Sequence, residues 1–540
     1  MLTLPLDPTD DRANPAFKDA AACAQWLGQL QLTNLHHAHG VLRAQLDEFN
    51  RYPMRALERL RTLELLREAV SSIQADYAKK LVAKKLPLSN DELTVFVAII
   101  GLWQGMVTGY QRCLQARMAG DTHLAARGQG ALLCQRCLLY SGLQIFEHMR
   151  SGYEFDAKLW RQMHELYAFC EEQGWQLIEV ADDLNGDTRS ASCSATYTKT
   201  LLACHAHRAD LSRHLLQLLD RWLTLWSPAV AVERTYSSGD APPLAVDLDS
   251  SCGLQLPQLT VPSDHLRYLS MAPLSKLMRV KTILLQQGQS PQQLELGEGC
   301  NGAECISFLN YLHQCWCEGH DGRMAERRGA TQQAQICYGM DSCYAHIADK
   351  PFKQPGGDAT MDTLSRKQIA AFGRVLSDTN RHDLAALGLA LETWQIEDES
   401  IRGARLLREK NTDVRLGPGQ LVAVRATDAN AFMAGAVIWL KVTRTGQLRV
   451  GLRYLPGLPQ AIAMKATGVN LTVSEKYVAA LLLPAVPALK TPASLIAPRD
   501  WFKPGRVVEI VHGDKKKLQL KMELSIEKGS DYERISFTET

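Results

Sequence analysis

Two short segments of the chain combine side chains that can bind the anionic and hydrogen-bonding groups of a small ligand. The first holds Arg323 and Arg327, four positions apart, with Arg328 directly after them. The second reads Asp398-Glu-Ser-Ile-Arg-Gly403 and offers a carboxylate, a hydroxyl and a glycine within six residues. An arginine fork can bind a phosphate or the O6/N7 edge of guanine through two hydrogen bonds, and it can stack on a base.

Strand-like sequences lie on both sides of these segments and would have to position them. They are short, rich in β-branched and aromatic residues, and separated by Gly, Pro, Asn or Asp. In chain order they are residues 333–345, 394–396, 421–424, 436–442 and 448–454. The pattern predicts a barrel or a small sandwich, with a helical insertion near residues 350–391.

The two segments and these strands resemble the PilZ family, whose motifs are RxxxR and (D/N)xSxxG and whose ligand is cyclic di-GMP. Three further stretches also look like PilZ strands: Gly419-Gln-Leu-Val-Ala-Val, Gly435-Ala-Val-Ile-Trp439 and Gly451-Leu-Arg-Tyr. The resemblance covers residues 323–455, about a quarter of the chain. It carries no information about the first 300 residues.

The resemblance implies a set of ligand-binding residues on the barrel. Asp398 is expected to accept hydrogen bonds from guanine N–H groups, and Ser400 to bind the base or a phosphate. Gly403 would allow either a close backbone approach or a positive φ. The full predicted set is Arg323, Arg327, Arg328, Asp398, Ser400 and Gly403. Cyclic di-GMP is the expected ligand, and no metal is expected.

The spacing of the two motifs departs from the family pattern. In PilZ domains they lie much closer together, whereas 71 positions separate Arg327 from Asp398. An insertion in a loop costs little free energy, so the barrel can accommodate it. The alternative interpretation is a degenerate barrel, in which Arg323 and Arg327 are surface charges and Asp398 and Ser400 shape a turn.

The rest of the chain is predicted to be globular and divided into several domains. It has 540 residues, 46% of them apolar and 22% charged, which excludes a mostly disordered or fibrous protein. The net charge of +2 argues against a nucleic-acid polymer as partner. Residues 57–77, 129–150, 153–174 and 211–226 place apolar residues three or four positions apart, which predicts helices.

The fold class that follows is α+β. We expect a helical bundle or array over 1–232 and a linker with short strands and helices over 233–318. The resemblance implies a PilZ-like antiparallel β-barrel with the helical insertion over 319–468, and a further small β domain is expected over 469–540. Helical pattern within the linker falls on residues 264–287 and 304–316, and the last region holds four more strand candidates.

Several other motifs favour structural interpretations. Residues 93–110 are apolar but contain Gln104 and three glycines, which favours a buried core helix over a membrane span. Gly297-Glu-Gly-Cys-Asn-Gly302 lacks the buried strand that a dinucleotide site needs before it. The Cys134–Cys137 pair has no partner pair, and the Cys and His residues of 300–320 lack the paired spacing of zinc sites.

The sequence therefore predicts a bacterial, cytoplasmic receptor that couples cyclic di-GMP binding on the barrel to signal transduction. The helical half would bind an unidentified protein partner, and no reaction would be catalysed. The alternative is a helical scaffold or adaptor whose PilZ-like domain no longer binds a nucleotide. No motif supports an enzyme in the helical half.

Overall fold

The computed structural model forms two compact units. Residues 1–84 and 88–323 make up the helical unit, and residues 85–87 and 324–540 make up the β unit. The structure describes residues 2–31, 33–81, 85–184, 190–207, 211–236, 242–318, 328–329, 332–355, 384, 387–389, 391–409, 412–467, 476–512 and 516–540.

The helical unit consists of helices joined by short connections. They are α1 (Ala20–Gln29), α2 (Leu35–Arg51), α3 (Ala56–Tyr77), α4 (Asn90–Met118), α5 (Arg127–Ser151), α6 (Ala157–Glu172), α7 (Cys193–Ala206), α8 (Arg213–Trp226), α9 (Ala272–Gln286) and α10 (Gly302–Cys317). Short strands join them: β1 (Val180–Ala181), β2 (Ser190–Ala191), β3 (Val232–Glu233), β4 (Leu244–Asp247) and β5 (Leu266–Leu269). Short 3-10 helices cover Ala78–Leu81, Thr122–Leu124, Ser227–Ala229 and Pro257–Leu259.

Apolar periodicity explains why these segments form helices around a common core. On α3, Leu63, Leu66 and Val70 recur at steps of three and four, and all three are fully buried. The helices predicted at 129–150, 153–174 and 211–226 correspond to α5, α6 and α8. The helical character predicted for this half is therefore confirmed.

Helix α4 contains the apolar stretch at 93–110. Ser89 begins it with a capping box, in which its side chain and that of Glu92 bind each other's backbone N–H groups. Within the described ranges, α4 is the helix long and apolar enough to cross a membrane, with half of its most apolar window buried. Leu102 and Met106 are fully buried in the core of the helical unit. This packing supports the interpretation of α4 as a core helix.

A buried ionic network joins α3 and α5. The Arg136 guanidinium, 1% exposed, donates hydrogen bonds of 3.1 and 3.0 Å to the two carboxylate oxygens of Glu64. Arg67 pairs with Asp182, a carboxylate just after β1 that is 3% exposed. Burial alone would raise the pKa of Glu64, but the hydrogen bonds and charge of Arg136 outweigh it and hold that pKa below its ordinary value. The network satisfies charges that would otherwise be costly to bury.

The segment predicted as a linker, residues 233–318, lies within the helical unit. Strands β3, β5 and β4 form a small antiparallel sheet in that order. The helix predicted at 264–287 is correct only from Ala272, because residues 266–269 pair with β4 as strand β5. Pro273, in the first turn of α9, favours a helix start at this point.

The described residues of the β unit form two barrels, with an α-helix in the chain between two strands of the first barrel. The elements are β6 (Arg328–Gly329), β7 (Gln333–Tyr338), α11 (Gly339–Ala348), β8 (Glu392–Ser400), β9 (Gly403–Arg408), β10 (Leu421–Ala426), β11 (Met433–Val442), β12 (Leu448–Tyr454), β13 (Gln460–Thr467), β14 (Val478–Leu483), β15 (Ser494–Pro498), β16 (Val507–His512), β17 (Lys516–Lys528) and β18 (Tyr532–Glu539). A short 3-10 helix covers Pro487–Leu489. Leu86, from the segment 85–87, exchanges two 2.8 Å backbone hydrogen bonds with Leu416.

The first barrel closes through strand β8, which pairs on both of its edges. The order β8-β7-β10-β11-β12-β9 returns to β8, because β9 pairs with β8 as well as with β12. Strand β6 adds to β8 beyond the end of β7. All of these pairings are antiparallel. The predicted antiparallel barrel is therefore present.

The second barrel closes separately in the order β13-β14-β15-β18-β17-β16. Its first strand, β13 (Gln460–Thr467), had been assigned to the first barrel by the predicted boundary at 468. Leu455 and the turn after it let the chain cross from one barrel to the next before residue 460. The four-domain division of the sequence stays a prediction.

The predicted strand at 333–345 is wrong in its second half. Gly339 takes a φ of +75°, which ends β7 and starts α11. Helix α11 then packs its buried Cys343 into a hydrophobic cluster, with Met340 and Ile347 against it. Most of the helical insertion predicted at 350–391 lies outside the described residues.

One hydrophobic cluster is shared by the two barrels. It contains fully buried residues from the first barrel, from α11 and from the second barrel: Cys337, Cys343, Leu421, Ala423, Ala434, Leu455, Leu481, Leu483, Ile496 and Tyr532. The interior of the second barrel forms a separate cluster around Ile462, Met464 and Leu495. The barrels are therefore joined by a common core.

Candidate ligand-binding site

The motif Asp398-Glu-Ser-Ile-Arg-Gly403 forms a tight hairpin between β8 and β9. Ser400 and Gly403 are direct partners in the strand pairing, which leaves a two-residue turn at Ile401 and Arg402. The Ser400 hydroxyl donates to the Gly403 carbonyl oxygen at 3.2 Å and accepts from the Arg402 N–H at 3.4 Å. The motif serine therefore stabilises the turn through two hydrogen bonds to its backbone.

The motif glycine is explained by a close approach between strands. A Cβ atom on Gly403 would lie 2.0 Å from the carbonyl oxygen of Leu452 on β12. Gly403 is not among the residues with positive φ. The structure therefore explains this glycine by the close approach of the strand β12 backbone.

A β-bulge in β8 sets the direction of the motif carboxylate. The pairing with β9 shifts register between Ile396 and Asp398, so that Glu397 is an extra residue on β8. Ile396 points into the barrel and is fully buried, whereas both Glu397 and Asp398 reach Arg405 on β9. The distances are 2.9 Å from Arg405 Nη2 to Asp398 Oδ2 and 2.9 Å from Nε to Glu397 Oε2.

The charged row continues onto the next strand. Arg449 Nε on β12 lies 3.1 and 2.9 Å from the two carboxylate oxygens of Glu397. Arginines from β12 and β9 thus alternate with acidic side chains from β8 on the outer face of the barrel. We call Arg449, Glu397, Arg405 and Asp398 the charge row. Sequence reasoning missed its first three members, since neither the bulge nor the strand register can be read from residue types.

A tyrosine and an indole border the charge row. The Tyr454 hydroxyl donates to Glu399 Oε1 at 2.6 Å, and burial, followed by this hydrogen bond, raises the pKa of Tyr454. Gly451, the strand partner of Arg405, has room for no side chain because the Trp439 ring covers it, 2.1 Å from an ideal Cβ position. Trp439 therefore lies on the same face of the barrel as the charge row.

The segment 323–328, which we call the arginine segment, ends beside the hairpin. Arg323 and Arg327 lie outside the described residues, and Arg328 is described by its backbone in β6. In the backbone pairing of β6 with β8, Arg328 lies opposite Glu399 and Gly329 lies opposite Asp398. The two residues that directly follow the first motif therefore pair with the strand that carries the second.

A buried ion pair lies at the opposite end of β9. The Arg408 side chain, 2% exposed, lies 3.8 Å from Glu392 and over the ring of Trp394, and it donates to the carbonyl oxygen of Val414 at 2.9 Å. Thr412 accepts a further bond from the same guanidinium nitrogen. These contacts stabilise the barrel's interior and lie away from the hairpin.

The other motifs of the sequence have structural explanations. Cys300 and Cys305 form a disulfide, and among the described residues no group of three or more His, Cys, Asp or Glu side chains could hold a metal ion. Cys134 is fully buried, and its hydrogen bond with Cys170, together with burial, raises its pKa. Gly297 has a φ of +101°, as in a turn.

Comparisons with known proteins identify relatives of both ends of the chain. Residues 21–237 match a family model described as the N-terminal domain of the cyclic-di-GMP receptor FimW. Residues 464–540 match the model of the FimW C-terminal beta-barrel domain. The cyclic-di-GMP receptor FimW of Pseudomonas aeruginosa is 23% identical, in an alignment that covers 95% of this chain and 90% of that protein. The two model matches span α1 to α8 and the second barrel, and the full-length similarity includes the first barrel.

Proposed function

We propose that this chain is a receptor for cyclic di-GMP and that it binds the nucleotide on its first barrel, a PilZ-like domain. Similarity over 95% of the chain to a protein named as a cyclic-di-GMP receptor supports the ligand. The RxxxR and DxSxxG motifs support the first barrel as the place where it binds. No catalytic step is part of the proposal.

The observation that carries the proposal is the pairing of β6 with β8. Gly329 lies opposite Asp398, and Arg323 and Arg327 precede this pair by only a few residues in the chain. Guanine offers N–H donors that a carboxylate such as Asp398 accepts, and O6/N7 acceptors that an arginine binds. Phosphates would take the second arginine.

The affinity requires several of these contacts together. A micromolar dissociation constant corresponds to about 8 kcal/mol. One bidentate arginine–guanine contact gives about 1–3 kcal/mol of discrimination, which is not enough by itself. We therefore assign ligand-binding roles to the three arginines of the arginine segment and to Asp398 and Ser400, while Gly403 shapes the hairpin.

The output of the receptor would come from the helical unit. The ligand would bind the arginines of residues 323–328, and these residues follow α10 in the chain, so binding could be transmitted to the helical unit. A protein partner would then bind the helical unit in one ligand state better than in the other. We place this signalling in the cytoplasm of a bacterium, where cyclic di-GMP would be available to it.

Titration calorimetry of the full chain with cyclic di-GMP tests the proposal, with GTP as the control ligand. We expect binding by the wild type and loss of binding in Arg323→Ala and in Arg327→Ala. Arg61→Ala is the matched control, because Arg61 is 62% exposed on α3 in the helical unit. Unchanged affinity in both arginine variants would refute the proposed site.

The adaptor interpretation predicts a different result in the same experiment. A degenerate barrel would give no heat of binding with cyclic di-GMP at any concentration. The thermal midpoint gives an independent readout, since a ligand at 100 times its dissociation constant adds about 2.7 kcal/mol of stability. No shift in the wild type would favour the adaptor.

A further inference from the structure

We propose that Arg405 is a positioning residue for the guanine-binding carboxylate, and that it acts through Asp398 rather than on the ligand. The inference rests on the proposed function and adds to it a residue outside both motifs. Arg405 lies on β9, directly opposite Asp398 in the strand register. Its guanidinium is close to both carboxylates of the bulged part of β8.

The geometry gives Asp398 one orientation. A carboxylate on a solvent-facing strand can rotate about two side-chain bonds, and a fixed partner removes that freedom. Arg405 Nη2 holds Oδ2 at 2.9 Å, and the Asp398 side chain is only 13% exposed. The carboxylate would therefore meet a base without first losing its own conformational freedom, which favours affinity.

Arg405 is itself held in place by the rest of the charge row. Its Nε lies 2.9 Å from Glu397, which is in turn fixed by Arg449 through two contacts. The bulge is what makes this possible, because it turns two successive acidic residues toward the same arginine. A regular strand would send Glu397 and Asp398 to opposite faces.

The chemistry of the carboxylate makes the effect base-specific. An ionised aspartate only accepts hydrogen bonds, and guanine presents an N2–H₂ donor that adenine lacks. Losing the orientation of Asp398 would therefore weaken binding of guanine more than binding of adenine. A residue that contacts phosphate directly would weaken both by the same factor.

A double-mutant cycle in the full chain separates positioning from direct contact. Calorimetry would compare the wild type, Arg405→Gln, Asp398→Ala and the double variant, with cyclic di-GMP and cyclic di-AMP as ligands. We expect Arg405→Gln to weaken cyclic di-GMP binding about tenfold and to lower the preference over cyclic di-AMP by a similar factor. In the Asp398→Ala background the same change should have an effect below about twofold.

Two further variants serve as rescue and control. Arg405→Lys keeps the charge but contacts fewer oxygens, so it should restore part of the affinity. Arg425→Gln removes an arginine from β10 of the same barrel. Because the Arg425 side chain binds Gln335 on β7, this variant should bind cyclic di-GMP like the wild type. Thermal midpoints of all variants show whether each is folded.

The outcomes distinguish the inference from the proposed function. An equal loss in the presence and absence of Asp398 would show that Arg405 contacts the ligand and would overturn positioning. Wild-type affinity in Arg405→Gln would overturn it as well, while leaving the receptor function intact. Failure of the wild type itself to bind cyclic di-GMP would remove the receptor function on which the inference rests.

Discussion

Replacing Gly403 with alanine should damage the candidate site by separating two strands. The added Cβ would lie 2.0 Å from the Leu452 carbonyl oxygen, 3.0 Å from its carbonyl carbon and 3.2 Å from the Arg453 Cα. All three atoms belong to the backbone of β12, so no side-chain rotation relieves the contact. An ordinary C···O contact is about 3.3 Å, so β9 would have to move by roughly 1.3 Å.

The cost follows from that displacement. Inserting one carbon into a packed position costs about 1–3 kcal/mol. Weakening one hydrogen bond of the β9–β12 ladder adds about 1 kcal/mol. The sum, about 2–4 kcal/mol, should lower the unfolding midpoint of the β unit by roughly 6–12 °C, at about 3 °C per kcal/mol for a unit of this size.

Scanning calorimetry and hydrogen exchange of the full chain would measure the effect. Exchange should rise at Gly403, Ala404 and Leu452, where β9 and β12 pair. Gly329→Ala is the matched control. Gly329 lies on β6 opposite Asp398 of β8, and a Cβ atom there would meet no atom within 4 Å. A Gly403→Ala variant that melts with the wild type would refute the argument that β12 requires this glycine.

Three further predictions concern the buried charges. Arg136→Met should destabilise the helical unit by about 3–5 kcal/mol in urea unfolding, since it removes one of the two arginines that pair with the carboxylates of Glu64 and Asp182. A loss of the size expected for exposed Arg61→Ala, below about 1 kcal/mol, would contradict this. Because the pKa of Glu64 is lowered in the folded state, its stabilisation is complete above the ordinary value of 4.5 and is lost as pH falls through the lowered value. Glu64→Gln should therefore flatten the acid side of the midpoint–pH curve, and an unchanged slope would count against the pair. Burial raises the pKa of Asp531, whose carboxylate accepts a hydrogen bond from the Leu421 N–H at 2.8 Å. At neutral pH the Asp531→Asn variant should be at least as stable as the wild type, whereas Asp531→Ala should be less stable by about 1–2 kcal/mol. The reverse order of stability in calorimetry would refute this.

Periodicity predicted the parts of the fold in which one rule decides the structure. A core-facing stripe such as Leu63, Leu66 and Val70 specifies a helix on its own. Short β-branched runs likewise specify strands, as in β10, β11 and β12. The rule failed where tertiary contacts decide. Residues 266–269 look helical by spacing, yet they pair with β4. Gly339 ends a strand that its neighbours would have continued.

The candidate site was predictable in its motifs but not in its supporting contacts. Asp398, Ser400 and Gly403 have a recognisable spacing, and the structure places them in one hairpin. Arg405 and Arg449 belong to no motif, and their role depends on a bulge and on strand register. The one-residue bulge leaves no signal in composition, because the extra residue, Glu397, is followed by two further acidic residues, Asp398 and Glu399.

The hydrophobic cluster shared by the two barrels has a consequence for cooperativity. Because Leu421 of the first barrel and Leu481, Leu483 and Ile496 of the second lie in one core, the barrels should unfold as a single cooperative unit. Free energy supplied by a nucleotide on the first barrel would then slow hydrogen exchange in the second, although the second contributes no residue to the candidate site. The second barrel would thus report occupancy through its stability, with no change in its own conformation.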